Sequence, residues 1–162
     1  MKANMRISNI DTIEEKVRVS PRGRYQIFRK SLSLAVGGIK DVGDWGGGHP
    51  FDVELARIPP GKANFPLHYH AAQSEFYLVL SGTGVLHEGG ASRSIIPGAV
   101  IFAAPGDTHQ LENNGVEDLV YLVVADNPRS DICTYPDSGK VYLKPLGICL
   151  DNKATDYYGE DD

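Results

Sequence analysis

The sequence predicts an all-β fold, a sandwich or a barrel. Two observations carry this. Short runs rich in aliphatic, β-branched and aromatic residues recur between turn signals spaced about 8–12 residues apart. No stretch sustains a helical period. At 162 residues the chain is most simply one domain, long enough to bury a core without disulfide staples.

The elements follow in order. Residues 1–20 are polar and mixed, and Thr12 and Glu15 have capping-box spacing, which predicts a short helix near Ile13–Val17. Pro21 and Gly23 punctuate the chain, and Tyr25–Leu34 reads as strand. Asp41–Pro50 is a loop by its glycines and proline, and Phe51–Ile58 is a strand closed by Pro59-Pro60-Gly61. Two further strands flank a turn through Ala71–Ser74, one around His68-Tyr69-His70 and one over Glu75–Leu80. Strands over Val85–Glu88, Ser92–Ile96, Ala99–Ala104, His109–Glu112 and Leu119–Ala125 follow, each bounded by glycine, proline or asparagine turns. Ile132–Leu150, with a loop at Pro136-Asp137-Ser138-Gly139, forms an extra hairpin or wraps across the barrel. Asp151–Asp162 is acidic, with only Tyr157 and Tyr158 to pack, and is expected to be loosely held. The organisation expected is an N-terminal extension (1–23), a barrel carrying the site (24–126), C-terminal strands packed on it (127–150) and the acidic tail (151–162).

Composition narrows function. A net charge of −5 argues against nucleic acid as a partner. No apolar run approaches a membrane span, and the N-terminus lacks a secretion-signal pattern, so the expectation is a cytoplasmic protein. Cys133 and Cys149 are too far apart for a redox or zinc pair and read as reduced, packed thiols.

The chemistry centres on 61–82. His68 and His70 are two apart, so on a strand they share a face and Tyr69 points away. If the two strands there are neighbours, Glu75 meets both imidazoles. His109, opening a strand after the Pro105-Gly106 turn, is the fourth candidate ligand. Three imidazoles and a carboxylate suit one divalent Fe, Mn, Ni, Co or Zn ion per subunit, with positions left open for a substrate oxygen. The absence of a thiolate from this set disfavours Cu(I) and a structural zinc knot.

These residues resemble the cupin superfamily. Gly61, His68, His70, Glu75 and Gly82 match its first motif with one extra residue before His68. Gly98, Gly106, His109 and Asn113 match its second, although Pro105 directly precedes Gly106. The stretch from about Phe28 to Lys144 is similar to small bacterial cupins, including Tyr135-Pro136-Asp137-Ser138-Gly139-Lys140-Val141. The resemblance implies a double-stranded β-helix with the metal inside, and often a homodimer. It does not supply a reaction: the options are a metalloenzyme on a small polar substrate (a sugar or sugar-phosphate isomerase, or a dioxygenase or decarboxylase) and a non-catalytic binding or sensing cupin.

Other residues have two readings each. Tyr77 shares a face with Glu75 and either borders the metal or fills the barrel. Arg57 either binds a substrate anion or is an exposed charge. His87 either faces the pocket or belongs to an outer face, and Glu88 is a further candidate base. Tyr135 and Lys140 either contact substrate at the barrel mouth or serve the Pro136–Gly139 turn. His49 reads as a surface residue and Gln110 as structural.

Overall fold

The computed structural model describes residues 5–154. The expectation for the tail beyond 154, with Tyr157 and Tyr158, lies outside the described residues. The fold is an antiparallel double-stranded β-helix. One sheet has six strands: Lys16–Val19 (β1), Gln26–Ser31 (β2), Phe51–Ile58 (β3), Leu119–Asp126 (β10), Glu75–Ser81 (β5) and Val100–Ala103 (β8), in that spatial order. Opposite it lie a four-stranded sheet and a three-stranded sheet. The first runs Ile148–Asp151 (β13), Lys140–Lys144 (β12), Asp131–Tyr135 (β11), Tyr69–His70 (β4); the second runs Ala91–Ile95 (β7), Gly84–Glu88 (β6), His109–Glu112 (β9). An antiparallel bridge between His68 and His109 joins these two into one wall, with N–H···O bonds of 3.2 and 2.8 Å in the two directions.

β3 shows why the barrel closes at one end and opens at the other. Its inward positions are Asp52, Glu54, Ala56 and Ile58, a polar half followed by an apolar half. Register carries the gradient across the sheet. Asp52 pairs with Ala125 and Ala125 with Glu75; Glu54 pairs with Val123 and Val123 with Tyr77; Ala56 pairs with Tyr121 and Tyr121 with Val79. The apolar rows merge with Leu86, Ile95 and Leu111 from the facing wall into the core. The polar rows line the cavity.

Three expectations need correction. The predicted helix near Ile13–Val17 is absent: a 3₁₀ turn covers Ile10–Thr12, capped by Asn9, and β1 begins at Lys16. Glu15 is spent on Arg57 instead of a capping box. The Tyr25–Leu34 strand stops at Ser31, and Leu32–Ala35 makes one helical turn (α1). β4 and β5 are not neighbours. β4 pairs with β11, β5 pairs with β10 and β8, and the two face each other across the barrel.

Candidate metal centre

His68, His70 and His109 come from the smaller-sheet wall and Glu75 from the six-stranded sheet opposite. The three histidines are almost fully buried. Each ring is held through Nδ1. His68 Nδ1 lies 2.8 Å from the Pro66 carbonyl, His109 Nδ1 2.9 Å from the Asp107 carbonyl, and His70 Nδ1 2.6 Å from Asp131 Oδ2. Carbonyl and carboxylate oxygens only accept, so each Nδ1 carries a proton; Nε2 of His68 and His70 is left toward the cavity and that of His109 toward Glu75. This is the outer-shell arrangement that orients imidazole ligands toward a metal.

Glu75 Oε2 lies 2.8 Å from His109 Nε2 and 3.7 Å from His70 Nε2, and the Tyr77 hydroxyl donates to it at 2.6 Å. Donor atoms of His68, Glu75 and His109 all fall within 4.8 Å of one another. Electrostatics follow the contacts. Burial works to raise the Glu75 carboxyl and to lower His109, yet their mutual hydrogen bond prevails, leaving Glu75 well below the usual range and His109 above it. His109 is then an imidazolium whose Nε2–H donates to Glu75. Burial, with the His109 charge beside it, pushes His68 down to about 4. Burial pushes the Tyr77 hydroxyl up, so it stays a donor.

These groups open on a cavity of about 340 Å³. Its opposite wall is charged: Glu54 accepts from Arg29 at 3.1 Å, from Ser31 and from Lys40, and Asp52 lies 3.3 Å from Lys40 Nζ. Lys144 Nζ reaches Gln73 and lies 3.4 Å from Asp41. Tyr121, Tyr135 and Tyr142 complete the polar lining.

The structure brings His68, His70, Glu75, Tyr77 and Tyr135 to this cavity, with His109 behind them in contact with Glu75. It does not bring Arg57, His87, Glu88 or Lys140. Arg57 lies on the outer face of β3, over the Phe28 ring at 3.8 Å and paired with Glu15 and Asp118. His87 faces outward between Ser92 and Glu112. Glu88 pairs with Arg93. Lys140 is exposed beside the hairpin turn. Gln110 is structural, donating to the Phe65 carbonyl.

Two groups escaped the sequence. Asp52 and Glu54 lie two apart on β3, in step with Ala56 and Ile58, so inward parity could have found them. Asp131 and Cys133 sit on β11, and only its pairing with β4 reveals them. Cys133 is the direct cross-strand partner of His70. A free, buried thiol therefore stands beside the four-residue set, which itself contains none. Burial pushes it up to about 11.

Comparison with known proteins agrees with the geometry. Residues 54–125 match the Cupin domain family. The chain is similar to the oxalate-binding protein of Thermotoga maritima, 40% identical over 68 residues, covering 42% of this chain and 55% of that one. It spans about half the length of the curated relatives it matches. Among solved structures it is similar to a candidate sugar phosphate isomerase from Acidithiobacillus ferrooxidans, with 27% identity, coverage of 88% and 87%, and a TM-score of 0.74. A sugar phosphate isomerase from Silicibacter pomeroyi is similar at 25% identity, coverage of 88% and 90%, and a TM-score of 0.73. The family match spans both halves of the histidine cluster, and the double-stranded β-helix encloses it: residues 54–125 of this chain match the cupin domain.

Proposed function

We propose that His68, His70, Glu75 and His109 hold one divalent ion, and that the cavity isomerises a small anionic sugar. One observation carries this reading. The cavity faces the ligand cluster with buried titratable groups, Glu54 above all, instead of an apolar wall. Proton transfer between adjacent carbons needs such a group beyond the ligands, and oxygen chemistry at the ion does not require one. The two similar structures named as sugar phosphate isomerases support the same choice.

A divalent ion held there supplies a Lewis acid for a carbonyl or hydroxyl oxygen. The chain does the rest. Glu54 and Tyr77 occupy one cross-strand row with Val123 between them, about 10 Å apart at two strand spacings. That span fits a molecule of a few carbons. Glu54, paired with Arg29 and Lys40, takes the proton from one carbon and returns it to the next. Tyr77 donates a hydrogen bond to oxygen at the ligand end. Four cationic side chains (Arg18, Arg29, Lys40, Lys144) and four carboxylates (Asp41, Asp52, Glu54, Glu75) line the cavity and cancel. With a divalent ion in place the lining is net positive, which favours an anionic substrate.

The test is wash-in of solvent deuterium at the carbon beside the carbonyl of candidate sugar phosphates. Wild type should exchange, and Glu54→Gln should lose exchange by about 10²–10⁴-fold while keeping its metal. His109→Ala should lose the metal itself, measured by elemental analysis of the folded protein. Full metal occupancy in His109→Ala would refute the ligand assignment. A second reading is a binder of small dicarboxylates, favoured by the relative named for binding oxalate. It expects thermal stabilisation by oxalate and no exchange with any sugar.

We further propose that two chains pair through the outer face of the six-stranded sheet, where Phe76, Leu80, Val100 and Phe102 stand exposed beside the β8 edge. Two free thiols fit a reducing, cytoplasmic setting.

A further inference from the structure

The donor atoms around the cavity fall into two overlapping groups. One is His68, Glu75 and His109, all oxygen and nitrogen. The other is His68, His70 and Cys133, all buried, with their donor atoms likewise within 4.8 Å of one another. The second group comes from backbone register: β11 lays Cys133 directly against His70. On the same inward column, Asp131 two residues earlier fixes the His70 ring through Nδ1. The Pro66 carbonyl fixes His68. Both Nε2 atoms are thus left facing the cavity beside the thiol.

Bonds of about 2.0–2.1 Å to nitrogen and 2.3 Å to sulfur place the donors of one trigonal or tetrahedral ion about 3.4–3.8 Å apart, so closing a group that lies within 4.8 Å takes side-chain shifts of up to about 1 Å. Donor softness separates the groups. Carboxylate suits Mn²⁺ and Mg²⁺, whereas thiolate selects Zn²⁺, Cd²⁺ and Cu(I).

We propose that the cavity is a one-ion site with two alternative coordination sets, in which Cys133 replaces Glu75 and His109 when the ion is thiophilic. This rests on the reading of the cluster as a metal centre. In the exchange a metal–sulfur bond forms, the S–H proton passes to solvent, and no electron is transferred. A thiophilic ion held this way sits toward β11 and leaves Glu75 paired with His109, so it excludes the harder ion.

The experiment titrates the metal-free full chain with Cd²⁺ and reads the ultraviolet thiolate-to-cadmium charge-transfer band. In parallel, Mn²⁺ binding is followed by electron paramagnetic resonance. Wild type and Cys149→Ser should develop the band to one equivalent; Cys133→Ser should lack it and still bind Mn²⁺. Glu75→Gln should keep the band and lose Mn²⁺ affinity by at least tenfold. Cd²⁺ added to Mn²⁺-loaded wild type should release the manganese one for one. No band in wild type, a band that survives Cys133→Ser, or simultaneous retention of both ions overturns the two-set proposal. Loss of Mn²⁺ binding in Cys133→Ser, with folding verified by circular dichroism, also overturns it. Failure of wild type to bind Mn²⁺ while the Cys133-dependent band forms defeats the oxygen–nitrogen ligand assignment instead.

Discussion

Asp131 shows how much of the site lies outside the motifs. Its Oδ2 holds His70 at 2.6 Å, and its Oδ1 accepts from the Ala72 and Gln73 amides. Burial works to raise this carboxyl, but the hydrogen bonds bring it down to about 2. Asp131→Asn should cost about 10–100-fold in metal affinity, measured by competition with a chelator, while leaving the fold intact. His109 sets the pH dependence. Its raised pKa means that an ion must displace the proton it shares with Glu75. Affinity should therefore rise with pH until that imidazolium is lost, with about one proton released per ion, read by calorimetry in buffers of different ionisation enthalpy. His68 contributes no such proton at neutral pH, because its pKa is already pushed down to about 4. The four candidate ligands were legible because strand parity and motif spacing act over a few residues. Asp131 and Cys133 were not, because register between β4 and β11 decides their place, and no local pattern encodes a pairing over that distance.

At the level of elements, strand parity read well where one face is buried. Phe51–Ile58 and His109–Glu112 have the predicted bounds, because alternation and flanking turns mark them. The N-terminal segment read badly, because β1 is only four residues long and exposed on both faces, so its Lys-Val-Arg-Val alternation marks no buried side. Its pairing with β2 and the Glu15–Arg57 contact hold it, and neither is local. The motif glycine at 82 has a physical cause. Its φ is +75°, and an added Cβ would stand 2.2 Å from the Asp118 carbonyl oxygen, against the backbone that leads into β10. Gly82→Ala should lower stability by at least about 1–2 kcal/mol, seen as a lower denaturant midpoint at unchanged slope. Asn113 has a comparable role, fully buried and tied to Ile58, Glu117 and Gly115, so the second motif ends on a turn anchor.

At the scale of the whole molecule, the two faces of the six-stranded sheet differ in character. The inner face of the six-stranded sheet carries the charged rows of the cavity, and the outer face carries exposed aromatic and aliphatic side chains at its β5–β8 end, with Phe102 64% exposed. A charge at the centre of that outer patch should split a dimer. Phe102→Glu should sediment as a monomer where wild type sediments as a dimer, with an unchanged metal content. A monomeric wild type would remove the pairing proposal and leave the site untouched. The all-β class was legible because short strands and turns dominate the chain, and the resemblance then supplied the barrel.

The bridge between His68 and His109 has a consequence for stability. Two strand segments far apart in sequence meet there as backbone partners, so an ion on their side chains spans the same junction as the main-chain bonds. Such an ion is a cross-link that the unfolded chain cannot reproduce. A ligand binding only the folded state adds about 2.7 kcal/mol at a hundredfold excess over its dissociation constant. An ion held by these two histidines would thereby also lock together the two smaller sheets of that wall.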